Sequence, residues 1–138
     1  MTHAIVTASL APLLGSPDLK AELVSQAPLG HLLTIVEERD RFLRVRGEDD
    51  HPGWIHRGYV AHGDAGWVES WRADAHHISL GAVLSLDGRT RVQLPLGARV
   101  APEVGGAVHL PDGRIGQLAG GRIALVSALH DEAREMPP

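Results

Sequence analysis

Nine histidines are the most conspicuous chemistry-bearing residues of this chain: His3, His31, His51, His56, His62, His76, His77, His109 and His130. A zinc site draws three or four ligands to within about 2 Å of one ion. No H-x-x-x-H, H-E-x-x-H or H-x-H spacing, which would place two of them on one element, occurs here. The adjacent His76 and His77 on an extended segment would point to opposite faces. The sequence therefore predicts no metal site. It predicts no cofactor either: Gly105-Gly106 and Gly120-Gly121 lack the pattern of a phosphate-binding loop and read as hairpin or corner glycines.

Covalent catalysis has no foothold. Cysteine is absent, so there is no thiolate nucleophile, no thiolate metal ligand and no disulfide. Ser9, Ser16, Ser25, Ser70, Ser79, Ser85 and Ser127 lie in no G-x-S-x-G elbow. The expectation is a protein without catalytic residues, which binds or positions something.

One stretch rises above this background. Glu48-Asp49-Asp50-His51-Pro52-Gly53-Trp54 is an acidic loop running into a Gly-Trp strand start. Carboxylates there could hold a ligand ammonium, and an indole could cover its apolar part. Asp49, Asp50, His51 and Trp54 are accordingly the candidate ligand-binding residues. Trp54 is also large enough to be a core residue of its own unit.

The elements around that loop are short strands. Sixteen glycines and nine prolines recur at close intervals, with β-branched or alternating segments between them. Candidate strands are 22–26, 32–38, 42–46 and 53–56, and a second set is 82–86, 89–93, 98–101, 107–110 and 113–118. Asp87-Gly88 and Pro111-Asp112-Gly113 supply the positive φ that tight hairpins require. Helix signals are weak.

The two sets resemble each other. Gln26-Ala27-Pro28-Leu29-Gly30 returns 67 residues later as Gln93-Leu94-Pro95-Leu96-Gly97. The block from Gly53 to Ala61 returns 63 residues later, from Gly116 to Ala124. Shared order and a nearly constant offset point to a duplication with one loop shortened. The predicted fold is all-β: two tandem small SH3-like barrels joined by a Trp-containing linker. The first occupies 1–61, the linker 62–77, the second 78–130, and a tail 131–138. Each barrel alone buries little core. Trp67 and Trp71 in the linker are therefore expected at the interface between barrels.

Charge and hydropathy exclude further classes. The net charge is −4, and the basic residues are scattered, so no nucleic-acid partner is expected. The longest apolar runs, such as Ile123-Ala124-Leu125-Val126, are too short to insert in a membrane. Met1-Thr2-His3-Ala4-Ile5-Val6 lacks the form of a signal peptide, so a cytoplasmic location is expected if Met1 is the native start.

The chain resembles the tandem bacterial SH3 (SH3b) region that precedes the papain-like domain in NlpC-family cell-wall cysteine peptidases. The first unit carries the resemblance through 21–26, 42–46 and 53–60. The second carries it through Ser79-Leu80-Gly81-Ala82, Leu94-Pro95-Leu96-Gly97-Ala98-Arg99-Val100 and 110–116. The resemblance implies a γ-D-glutamyl-diamino acid endopeptidase whose catalytic Cys and His lie in a domain beyond Pro138. The implied partners are murein peptide or that papain-like domain. In such enzymes the first SH3 unit lends a tyrosine from an Asp-Tyr-Pro-Gly-Trp-like loop to close the pocket around the peptide's amino end. His51, in Asp50-His51-Pro52-Gly53-Trp54, occupies the matching position. The alternative is a stand-alone peptide- or protein-binding module with no peptidase partner.

Overall fold

A computed structural model describes residues 2–48 and 50–126. The end of the expected second unit and the tail at 131–138 lie outside the described residues. The elements run β1 (Thr2–Val6), β2 (Leu10–Leu14), β3 (Leu23–Pro28), β4 (Leu32–Arg39), β5 (Phe42–Arg46), β6 (Pro52–His56) and β7 (Val60–Gly63). One helix, α1 (Ala65–Asp74), follows. Then come β8 (His77–Ser85), β9 (Arg91–Gln93), β10 (Arg99–Pro102), β11 (Ala107–His109) and β12 (Ile115–Leu125). The strands form two antiparallel sheets, in the orders β3-β2-β6-β5-β4-β1-β7 and β10-β11-β12-β8-β9. A further β10–β8 pairing curls the second sheet closed. The architecture is the expected all-β pair of SH3-like units.

Alternation explains the strands. In β5, Leu43 and Val45 are fully buried while Arg44 and Arg46 face out. Leu33 and Ile35 of β4, Leu13 of β2 and Ile55 of β6 meet them in one core. The predicted turns form where their residues require. Asp87 Oδ1 accepts from the Arg89 and Thr90 amides at 2.9 and 2.6 Å. These bonds, the one from Thr90 first, hold the Asp87 carboxyl below its usual range.

The repeat is visible in the pairing. β8 does the work of β1 and β2, since it pairs β10 at one end and β9 at the other, as β1 pairs β4 and β2 pairs β3. β12 likewise does the work of β6 and β7. The two Pro-Leu-Gly corners are the same turn: His31 N–H reaches the Pro28 carbonyl and Ala98 N–H the Pro95 carbonyl, each at 3.2 Å. Gly30 and Gly97 both take positive φ, 83° and 88°.

The corners differ in what they touch. Leu29 leaves its own unit and is buried in the core of the second, among Ala82, Leu84, Leu94, Val100 and Val108. Its counterpart Leu96 is 72% exposed. The Arg99 amide donates to the Leu29 carbonyl at 2.8 Å. A Cβ at Gly30 would stand 2.3 Å from the Arg99 carbonyl oxygen, so only glycine lets the two backbones come this close.

The segment at 62–77 is more than a linker. Its middle is α1, capped by Asp64, whose Oδ1 accepts from the Trp67 amide at 2.8 Å. Val68, Trp71 and Ala75 of this segment pack with Ile5 and Leu32 from the first unit and Ala101 from the second. The Trp71 indole N–H donates to the Gly30 carbonyl at 2.7 Å. The expected interfacial role of Trp71 holds, with Trp67 packed against the same cluster.

The two equivalent leucines give a paired test. Leu29→Ala should destabilise the protein by about 2–5 kcal/mol through the cavity it leaves. Leu96→Ala should change stability by less than about 0.5 kcal/mol. Urea unfolding of both variants measures this, and equal effects would contradict the inter-barrel role of Leu29.

Candidate functional site

The acidic loop does not act as one cluster. Glu48 turns toward the second unit, where Arg99 meets its carboxylate at 2.7 Å and 2.9 Å in a bidentate pair. His31 Nδ1 lies 3.0 Å from the same carboxylate, and its Nε2 lies 2.8 Å from the Gly97 carbonyl. Both ring nitrogens thus face oxygen acceptors, one on each unit. Glu48 is thereby part of the joint between barrels. Asp50, at a positive φ of 62°, pairs with Arg46 at 3.2 Å. Asp49 lies outside the described residues.

His51 and Trp54 do come together, at a cleft of about 450 Å³ on the outer face of the first barrel. Strand register builds its floor. Leu14 pairs with Trp54, Trp54 with Arg44, and Arg44 with Glu37, in a row across β2, β6, β5 and β4. The Arg39 guanidinium lies over the indole of Trp54 at 5.3 Å from its centre. Glu37 meets Arg39 at 2.9 Å and Arg44 at 3.8 Å. Among the described residues that line the cleft, two guanidiniums thus share one carboxylate. These guanidiniums are donors that fit a carboxylate, whereas the acidic loop read alone pointed to an ammonium. Sequence reasoning missed Arg39 and Arg44 because alternate positions on two strands show no local motif.

A larger cavity, about 990 Å³, opens between α1 and the second barrel. One helix face lines it: Trp67, Ser70, Trp71 and Asp74 stand at i, i+3, i+4 and i+7. Opposite are Pro102 and Glu103 at the end of β10 and the turn from His109 to Gly113. His76 and His77 also line it. Burial, reinforced by neighbouring His76, holds the His77 imidazole below its usual range. Its Nδ1 is shielded from solvent and has no hydrogen-bond partner among the described residues. Close packing shapes the helix side, since a Cβ on Gly63 would fall 1.6 Å from the Trp67 ring. This cavity was not legible in sequence, because its walls come from segments about 40 residues apart.

Comparison with known proteins bears on the first barrel and on the whole fold. Residues 13–60 match the family described as the bacterial dipeptidyl-peptidase SH3 domain. The match runs from the end of β2 through β6 and contains the residues that line the 450 Å³ cleft. An NlpC/P60 family protein from Bacillus cereus ATCC 10987 superposes with a TM-score of 0.68 at 15% identity. That alignment covers 89% of this chain and 56% of the solved one. The shared feature is therefore the fold, over little more than half of that protein's length. NlpC2 from Trichomonas vaginalis aligns over 89% of this chain and 47% of its own, at 16% identity. Its TM-score of 0.38 is too low to carry an argument. No curated protein matches the sequence.

His77 gives a pH prediction with a definite sign. Its native pKa lies below 6.5, its ordinary value. As pH falls through that value, the unfolded chain takes up a proton that the native ring does not. The contribution of His77 to stability is thus present above about pH 6.5 and is lost on acidification. An NMR titration of the imidazole Cε1 protons should show His77 titrating below 6.5. A midpoint at or above that value would contradict the assigned environment.

Proposed function

We propose that this chain is the non-catalytic SH3 pair that binds or positions murein peptide for an NlpC-type papain-like peptidase domain. The observation that carries this reading is the family match over 13–60, which contains the only sequence-predicted site residues that the described structure brings together, His51 and Trp54.

The chemistry of the cleft fits the ligand class. A γ-linked D-glutamate leaves its α-carboxylate free, and diaminopimelate carries a further carboxylate beyond its peptide bond. Arg44 and Arg39 offer fork-shaped donors for such a group. Trp54 offers an apolar wall beside them. His51, on the rim where the resemblance places a tyrosine, supplies a hydrogen-bonding ring at the ligand's edge. Asp50, engaged by Arg46, orders the loop that carries His51. In this reading hydrolysis is left to the papain-like domain, whose cysteine nucleophile this chain does not supply.

Calorimetry with L-Ala-γ-D-Glu-diaminopimelate tests the reading. Binding should be weak, with Kd of about 0.1–5 mM for one shallow cleft. Arg44→Ala should weaken it about tenfold, the worth of one charge-assisted contact. The chain should release no product from the same peptide. Hydrolysis by the purified chain, or absence of heat at millimolar peptide, would overturn the proposal.

A further inference from the structure

The cavity between α1 and the second barrel is larger than the first-barrel cleft and has the opposite electrostatic character. Among the described residues no lysine or arginine lines it, whereas Asp74, Glu103 and Asp112 do. Two of these carboxylates are engaged: Glu103 meets His109 at 2.5 Å, and Asp112 meets Arg114 at 2.6 Å. Asp74 makes no ion pair or side-chain hydrogen bond among the described residues. It stands one turn beyond Ser70 and two beyond Trp67 on the helix face that lines the cavity. The histidines do not make a metal centre, since no group of three His, Asp or Glu side chains among the described residues converges as a metal requires.

We propose that this cavity is a binding site for a ligand bearing an aliphatic ammonium group, with Asp74 taking the charge and Trp67 flanking the alkyl stem. The rigidity of the walls supports it. Trp71 is fixed by its bond to the Gly30 carbonyl, and Trp67 is held against Gly63, so the indoles are in place before a ligand arrives. An ammonium beside an indole and a carboxylate gains from both the ring quadrupole and the ion pair. The neutral His77 ring adds no competing positive charge to the cavity wall. The alkyl stem of a lysine-type or diamino-acid side chain matches the apolar strip formed by Trp67 and Pro102.

The test is an amide NMR titration of the full chain with two probes, N-acetyl-lysine methylamide and 1,5-diaminopentane. The uncharged norleucine analogue serves as the control. Neither amine carries a carboxylate, so the result is independent of the first-barrel cleft. Either amine should perturb the Trp67 indole and the Asp74 and Glu103 amides, with Kd of about 1–10 mM. Binding of the lysine amide identifies a peptide side chain as a sufficient source, and binding of the diamine alone identifies a free polyamine. Norleucine amide and the Asp74→Asn variant should each lower affinity about tenfold. Glu69→Gln, on the far side of α1, should leave it unchanged. Thermal melting checks that both variants are folded. Equal binding of norleucine amide, unchanged affinity in Asp74→Asn, or no perturbation at these residues in tens of millimolar amine would overturn the proposal.

Discussion

Leu29 is the residue on which the arrangement of this molecule turns. It belongs to a corner of the first barrel but is buried in the core of the second. The surrounding contacts follow from that insertion. Gly30 must lack a side chain because the Arg99 backbone lies against it, and the Gly30 carbonyl then accepts the indole N–H of Trp71. The helix is thereby pinned over the junction, with its apolar residues bridging Ile5 and Leu32 on one side and Ala101 on the other. Barrels this small bury little surface alone, and the shared core adds apolar burial that neither would have by itself.

The same junction decides the fate of the acidic loop. Arg99 comes next to Leu29 by a backbone hydrogen bond, and its guanidinium is then within reach of Glu48. His31 completes the cluster from the first barrel while touching the Gly97 corner of the second. A loop that reads as a run of carboxylates near an aromatic is thus divided. Glu48 serves the joint, Asp50 is held by Arg46, and His51 remains with Trp54 at a cleft whose charge comes from arginines. The outcome is two concave surfaces of opposite character, one rich in guanidinium groups and one in carboxylates.

Much of the fold was legible because alternation and turn chemistry are local. Phe42–Arg46 shows its buried and exposed faces directly in the residue types, and Asp87-Gly88 can do little other than turn. β1, β2 and β7 were missed. Ala4-Ile5-Val6 and Leu10–Leu14 are short apolar runs without polar alternation, so their strand character depends on their partners. The helix was missed for a related reason. It has ten residues and a glycine at its second position, and its two tryptophans pack against a core cluster drawn from both units. Asp64 was the available signal, as a cap three residues before Trp67.

The sequence by itself determined the all-β class, the duplicated corner and the absence of a thiol nucleophile, because each rests on residue type or short-range spacing. It also marked His51 and Trp54, which share one loop and strand start. Only the tertiary structure decided that one Pro-Leu-Gly corner would be a core plug and its copy a solvent-facing turn. The two corners are locally equivalent, and the distinction arises from which surface of the neighbouring barrel each one meets. The same holds for Asp74 and the cavity it borders. A carboxylate on a short helix has no partner written in its neighbours, and its surroundings exist only once the second barrel folds against α1.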